Sequence, residues 1–201
     1  DFRNELYSKW EKMKVFGRVY IACEGINAQI SIPEQNWKIF HAHLHEIDAL
    51  RNTPIKRALQ DGDSFYKLTI KVRNELVAYG VPKGAYDMGK VGKHLSAKEY
   101  NLALDDPNSI IVDMRNYYES EIGHFEDALI PEVETSKELL PAVRRLLKGR
   151  ENDKVLLYCT GGIRCEKASS YLMHNGFKDV NQLQGGIIQY AHEVKEEGLD
   201  S

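Results

Sequence analysis

The stretch Val155-Leu-Leu-Tyr-Cys159-Thr-Gly-Gly-Ile-Arg164-Cys165-Glu-Lys-Ala-Ser-Ser-Tyr-Leu172 decides how this chain is read. A short apolar run ends in a cysteine. A Gly-rich turn follows, then an arginine, then a segment with helical character. That order puts Cys159 where a buried strand stops and a helix begins, with backbone N–H groups of the turn and the helix start aimed at its sulfur. Such a site favours a thiolate and any anion attached to it. Cys159 is therefore read as a reactive cysteine; the alternative, a core cysteine, needs none of this apparatus.

Around this loop, residues 95–201 alternate short apolar strands with helices. Ser96-Ala-Lys-Glu99 is a capping box that starts a helix ending near Leu104. Ser109 to Met114 is a strand, Glu138 to Lys148 a helix, Val155 to Tyr158 a strand and Arg164 to Asn175 a helix stopped by Gly176. Val180 to Leu183 is a third strand, and Gly185-Gly186 leads into a last helix, Ile187 to about Glu197. This alternation predicts a parallel sheet covered on both faces, with ligands beyond the carboxyl ends of the strands, where Cys159 falls.

Residues 1–80 read differently. Phe16 to Cys23 and Ala28 to Ile32 alternate as strands around the turn signal Glu24-Gly-Ile-Asn27, which makes a hairpin. Asn36 caps a predicted helix through about Leu50. Ile55 to Leu59 is a predicted strand, Gln60 to Ser64 a loop, and Phe65 to Tyr79 one long strand or two short ones. The result is a small α+β domain of the ferredoxin-like kind with a mostly antiparallel sheet. Residues 81–94 lie in a Gly- and Pro-rich stretch and are read as the linker.

The 201 residues, 42% hydrophobic and 28% charged, suit one large or two small domains. No apolar run approaches the roughly 18 residues of a membrane span. Three cysteines at irregular spacing argue against a disulfide framework and for a reducing cytoplasm. No metal quartet is present; His41, His43 and His45 would fan around a helix, which favours surface histidines over a metal site. No cofactor motif for flavin, haem or iron is identified. Charge is uneven: residues 1–94 carry 15 Lys+Arg against 11 Asp+Glu, and residues 95–201 carry 12 against 19. A mildly basic first module is able to meet a phosphate backbone, although an ordinary solvated surface explains the charge equally well. The RNA-binding candidates are Lys56, Arg57, Lys67, Lys71 and Arg73, of which the last three share one strand face.

Ile111-Val-Asp113-Met-Arg115, Ile122-Gly-His124-Phe-Glu-Asp-Ala128, Cys159-Thr-Gly-Gly-Ile-Arg164 and Gly185-Gly186 together resemble a rhodanese domain over about residues 95–198. The resemblance implies a cysteine that carries a persulfide or another reactive sulfur species. Related phosphatases have one more loop residue and a wider cradle, so the six residues from Cys159 to Arg164 favour sulfur chemistry over phosphate ester hydrolysis. Glu24-Gly-Ile-Asn-Ala-Gln, Asp113-Met-Arg-Asn-Tyr-Tyr-Glu119 and Cys159 to Ser169 are more specific. With them the whole chain resembles the bacterial rhodanese-domain tRNA uridine hydroxylases. That resemblance implies oxygen-dependent hydroxylation of C5 of the wobble uridine to 5-hydroxyuridine, with molecular oxygen as co-substrate and the tRNA anticodon arm as partner. Members of that family usually continue into a Cys-rich tail. This chain opens at Asp1 without Met and stops at Ser201, and it reads as a fragment.

The resemblance makes Cys159 the nucleophile or oxidisable sulfur. Thr160, Gly161, Gly162 and Ile163 are expected to supply the N–H cradle. Arg164 closes the loop, either paired with a charged sulfur or substrate phosphate or as a helix-start arginine held only by solvent. Asp113 and Arg115 are expected to form an internal ion pair with a structural role. Cys165 is read as a resolving thiol or as a helix residue packed inward, and the expected geometry points it down the helix, away from the cradle. Cys23 receives no chemistry. Two other functions stay open: a sulfurtransferase that moves a persulfide from Cys159, and a non-catalytic RNA- or protein-binding module that keeps the scaffold, against which the intact Cys159 and Arg164 argue.

Overall fold

The computed structural model describes residues 1–59, 62, 64–82 and 84–199. The chain divides into two compact units, Asp1–Leu76 and Val77–Ser201. Among the described residues no helix is long and apolar enough to cross a membrane.

In the first unit α1 (Phe2–Lys12) precedes a hairpin of β1 (Phe16–Ala22) and β2 (Gly25–Ser31), then α2 (Trp37–Glu46) and β3 (Leu68–Val72). The sheet order is β2-β1-β3. β1 pairs antiparallel with β2, as the hairpin requires, but parallel with β3, so the sheet is mixed rather than mostly antiparallel. Leu6 and Trp10 of α1 and Phe40 and Leu44 of α2 pack on Val19, Leu68 and Ile70. Helix α1 was not anticipated, although Leu6 and Trp10 stand at the i, i+4 spacing of a buried helical stripe. The strand expected at Ile55 to Leu59 does not form: both end residues are exposed, Leu59 to 80%. The long strand expected over Phe65 to Tyr79 is cut to β3, because the ladder ends where Arg73 N–H donates to the Ile21 carbonyl and the Glu24 carboxylate takes the N–H of Leu76. Most of the loop expected at Gln60 to Ser64 lies outside the described residues. His43 is buried, contrary to the surface reading of the three histidines, and its burial holds the imidazole pKa below its ordinary value. His41 and His45 are exposed and lie ring against ring.

In the second unit the elements run β4 (Lys93–Leu95), α3 (Ala97–Leu104), β5 (Ile110–Asp113), α4 (Tyr117–Ser120), α5 (Ser136–Leu146), β6 (Lys154–Tyr158), α6 (Ile163–His174), β7 (Asp179–Leu183) and α7 (Gly186–Glu197). All strand pairs are parallel, in the order β4-β7-β6-β5. The interior strand β6 alternates between two cores. Val155 and Leu157, with Cys159 beyond them, join Leu139, Leu140 and Val143 of α5 and Ala168 and Leu172 of α6. Leu156 and Tyr158 join Tyr100 of α3 and Tyr190 of α7. A strand buried on both faces reads as the continuous apolar run seen in the sequence.

The described residues of the segment read as a linker, 81–94, belong to this second unit. Val77, Val81, Ala85 and Tyr86 lie against its core, and Tyr79 is buried in it. Asp87 and Gly92 bond Ser170 and Ser169 of α6, and Lys167 Nζ donates to the Val77 carbonyl. The apolar residues scattered among the glycines and prolines anchor what composition alone marks as a spacer.

The buried Asp113 carboxylate ends β5 as an acceptor for the backbone and guanidinium of Arg115, Ser120 Oγ at 2.9 Å and Tyr158 Oη at 2.7 Å. Arg115 also donates to the Gly123 carbonyl at 2.6 Å. Asp113→Ala would leave the 5%-exposed Arg115 side chain without its counter-charge. The expected cost is about 3–5 kcal/mol, the range for breaking a buried pair, read as an earlier urea midpoint of the second unit. A midpoint equal to that of the parent protein would remove the carboxylate from this structural role.

Candidate active site

β6 delivers Cys159 to the carboxyl end of the sheet, and Gly162, with φ of 95°, turns the chain into α6. That left-handed conformation explains the glycine. A second glycine is set by close approach. α7 begins against the loop, with Ile187 N–H on the Cys159 carbonyl at 2.9 Å, and a Cβ on Gly186 would stand 2.4 Å from that same oxygen. The loop is thus held from the α7 side by backbone.

Cys159 is fully buried. Its sulfur accepts the thiol hydrogen of Cys165 and the backbone N–H groups of Cys165 and Gly162, the last at 3.1 Å. The Cys165 hydrogen bond is the largest influence on the Cys159 thiol. With the positive charge of Arg164 and the two backbone N–H groups it outweighs burial and brings the pKa down to about 6. Burial and donation to Cys159 push Cys165 up, so the pair consists of one thiolate and one neutral donor. Cys165 therefore does not point away from the cradle. It is the third residue of α6, its backbone N–H also donates to the Gly162 carbonyl at 3.0 Å, and a helical Cα–Cβ bond tilts toward the helix N-terminus. That tilt brings the side chain of residue 165 back onto the sulfur of residue 159.

The rest of the loop is differently employed from the expected cradle. Gly162 supplies an N–H, Gly161 stands exposed, Ile163 opens α6, and Thr160 uses its hydroxyl. Thr160 Oγ1 donates to Glu119 Oε1 at 2.8 Å and accepts from Arg164 Nη2 at 2.8 Å. Arg164 is not held by solvent alone, nor paired directly with sulfur: Nη1 and Nη2 donate to the two Glu119 oxygens at 2.7 and 2.9 Å. The Arg164 bond draws the Glu119 carboxyl down to about 2. A fork of this kind fixes the guanidinium plane, and its charge still favours the Cys159 thiolate.

Sequence reasoning missed Glu119 as a site residue. A signal was present, since Asn116 followed by Glu119 is a capping-box spacing, and the box forms at the start of α4. It also missed Tyr79, whose hydroxyl donates to the Arg164 carbonyl at 3.2 Å. Burial, and then the two nearby sulfurs, keep this phenol neutral.

In the first unit Lys67, Lys71 and Arg73 are exposed and alternate with buried Leu68 and Ile70, so they share the outer face of β3. Arg57 is drawn elsewhere. It pairs with the Glu34 carboxylate and lies 4.8 Å from the Trp37 ring centroid. Lys56 and Cys23 are exposed. Among the described residues no group of three or more His, Cys, Asp or Glu is placed to hold a metal ion.

Residues 1–76 match the UPF0176 acylphosphatase like domain, and residues 96–193 match the rhodanese-like domain. The chain is 54% identical over 202 residues to a tRNA uridine(34) hydroxylase of Leptospira interrogans serogroup Icterohaemorrhagiae serovar Lai, covering 100% of this chain and 55% of that protein. It is 50% identical to one of Photorhabdus laumondii (99% and 57% covered) and 47% identical to one of Escherichia coli strain SE11 (98% and 57%). The chain spans a little over half the length of these relatives. The chain thus carries a UPF0176 acylphosphatase like domain followed by a rhodanese-like domain, and along nearly its whole length it is similar to proteins named tRNA uridine(34) hydroxylase.

Proposed function

We propose that this chain hydroxylates C5 of the wobble uridine of tRNA, giving 5-hydroxyuridine, with molecular oxygen as co-substrate, the anticodon arm as the bound element and the cytoplasm as its location. The observation that carries this reading is the Cys159 thiolate, held at the end of the parallel sheet by Cys165, Gly162 and the charge of Arg164. A thiolate poised near neutral pH is a competent nucleophile and reductant, which a thiol at the free value is not. Cys165 is the proton donor beside it. Arg164, clamped by Glu119 and Thr160, keeps the loop in one conformation and supplies the positive charge. A second reading, transfer of a persulfide from Cys159, is favoured by the rhodanese-like match over residues 96–193. Thiosulfate:cyanide transfer that disappears in Cys159→Ser, with no change in tRNA nucleosides, would select it.

The thiolate itself is open to measurement. Site-resolved mass spectrometry of iodoacetamide labelling should give a Cys159 rate that rises through a midpoint near 6 and levels off above it. The sign follows from the lowered pKa, because the reactive form accumulates as pH rises through that value. Cys165→Ala removes the strongest donor and should move the midpoint upward. A midpoint of about 8.5 in the parent protein, the free-thiol value, would refute the activated sulfur.

Nucleoside mass spectrometry of tRNA from cells that depend on this gene tests the reaction. Cys159→Ser should abolish 5-hydroxyuridine, since a hydroxyl lacks the thiolate's nucleophilicity. Cys165→Ser retains a hydrogen-bond donor and should leave a substantial part of the product. Equal loss in both folded variants would establish a two-thiol mechanism instead.

A further inference from the structure

The sheet of the first unit has two unlike faces. One is covered by α1 and α2, which press on Val19, Leu68 and Ile70, with Ile21, Ile26 and Ile30 packed alongside. Because strand side chains alternate, the intervening residues project from the other face. At the middle of the sheet these are Arg18 and Tyr20 from β1, Asn27 and Gln29 from β2, and Thr69 and Lys71 from β3, with Lys67 and Arg73 continuing the β3 line at either end; Phe16 with Ser31 and Ala22 with Gly25 flank them on the same face.

The register arranges them in rows. Tyr20 stands between Asn27 and Lys71, and Arg18 stands between Gln29 and Thr69. The Arg73 guanidinium lies 5.4 Å from the centroid of the Tyr20 ring. Arg18, Lys67, Lys71 and Arg73 are exposed, and among the described residues no carboxylate forms an ion pair with any of the four. No acidic residue occupies an outward strand position on this face. An aromatic centre with a planar cation over its ring, amides on the next strand and four cations without an acid is the chemistry of a nucleic-acid surface, and specifically of one that takes bases with their faces free. Aromatic rings and guanidinium planes stack on unpaired bases, amide side chains bond base edges, and a paired helix hides those base faces.

We propose that this outer face is a platform for unpaired nucleotides of RNA. Tyr20 and Arg73 stack a base, Asn27 and Gln29 bond base edges, and Arg18, Lys67 and Lys71 meet the phosphates. The proposal rests on the reading of a tRNA substrate. It adds Arg18, Tyr20, Asn27 and Gln29 to the three β3 cations, and it names the class of RNA held as a single-stranded loop rather than a paired stem.

Fluorescence anisotropy with the whole 201-residue chain tests it. The probes are a labelled anticodon stem-loop, oligouridylate and a fully paired RNA duplex. Tyr20→Ala should weaken the stem-loop and oligouridylate by about 5- to 160-fold, the range of one base–aromatic stack, and leave the duplex unchanged. Tyr20→Phe keeps the ring and should bind as the parent does, which separates stacking from any loss of fold. The pair Arg18→Glu and Lys71→Glu should weaken all three RNAs and flatten the dependence of affinity on salt. Parent-like affinity in Tyr20→Ala, equal weakening on duplex and loop in that variant, or an unchanged salt slope in the charge-reversed pair would overturn the proposal. Each measurement is repeated in Cys159→Ser protein, which has the platform without the reactive sulfur. Failure of the hydroxylation reading therefore leaves these affinity differences standing, and failure of the platform leaves the nucleoside result standing.

Discussion

The carboxylate of Asp113 is the point on which the second unit hangs. It closes β5, ties Arg115 to the end of the sheet, takes the hydroxyl of Tyr158 on β6 and takes Ser120 at the end of α4. Tyr158 is the residue before Cys159, and Ser120 is the residue after Glu119. A single buried anion thus sets the positions of the strand that presents the sulfur and of the short helix that presents the acid clamping Arg164. A buried charge is tolerated because its acceptor sites are filled by donors, one of them a full counter-charge. The same demand makes the arrangement rigid, since releasing any partner leaves a charge in an apolar surrounding.

At the sulfur, two opposed tendencies meet. Full burial disfavours a thiolate, and the donors around Cys159 reverse that preference. The strongest donor is another cysteine, so the two thiols separate into an ionised acceptor and a neutral donor. Arg164 contributes charge rather than a contact, because Glu119 and Thr160 hold its guanidinium. A positive charge shared with a carboxylate favours the thiolate less than a free one, and it is held in a fixed plane in return. Loop, helix start and acid clamp act as one unit, with the start of α7 behind it: Gly186 is there because the carbonyl of Cys159 leaves no room for a Cβ.

The alternation of strands and helices in residues 95–201 was legible chiefly because β5 and β6 are buried on both faces and read as apolar runs. The capping box at Ser96 was legible because its hydrogen bonds join residues three apart and need no tertiary partner. The first unit was harder to read. Ile55 to Leu59 has the composition of a strand but no neighbour to pair with, and pairing is a property of the sheet rather than of the segment. The long alternation of Phe65 to Tyr79 carries two signals in one run, an edge of the first sheet and then a residue, Tyr79, belonging to the core of the second unit.

The order of the two modules, the strand that ends at Cys159, the turn that follows it and the three cations along the β3 line are readable from the linear chain. Each of these rests on local spacing, which survives in a linear string. Which groups surround the sulfur depends instead on how the elements pack. Cys165 turns back onto Cys159, Glu119 comes from forty-five residues away to take Arg164, and Tyr79 arrives from the end of the run read as a strand of the first module. Contacts at such separations are set by how helices and strands pack, and packing is decided by the whole apolar surface that must be buried at once.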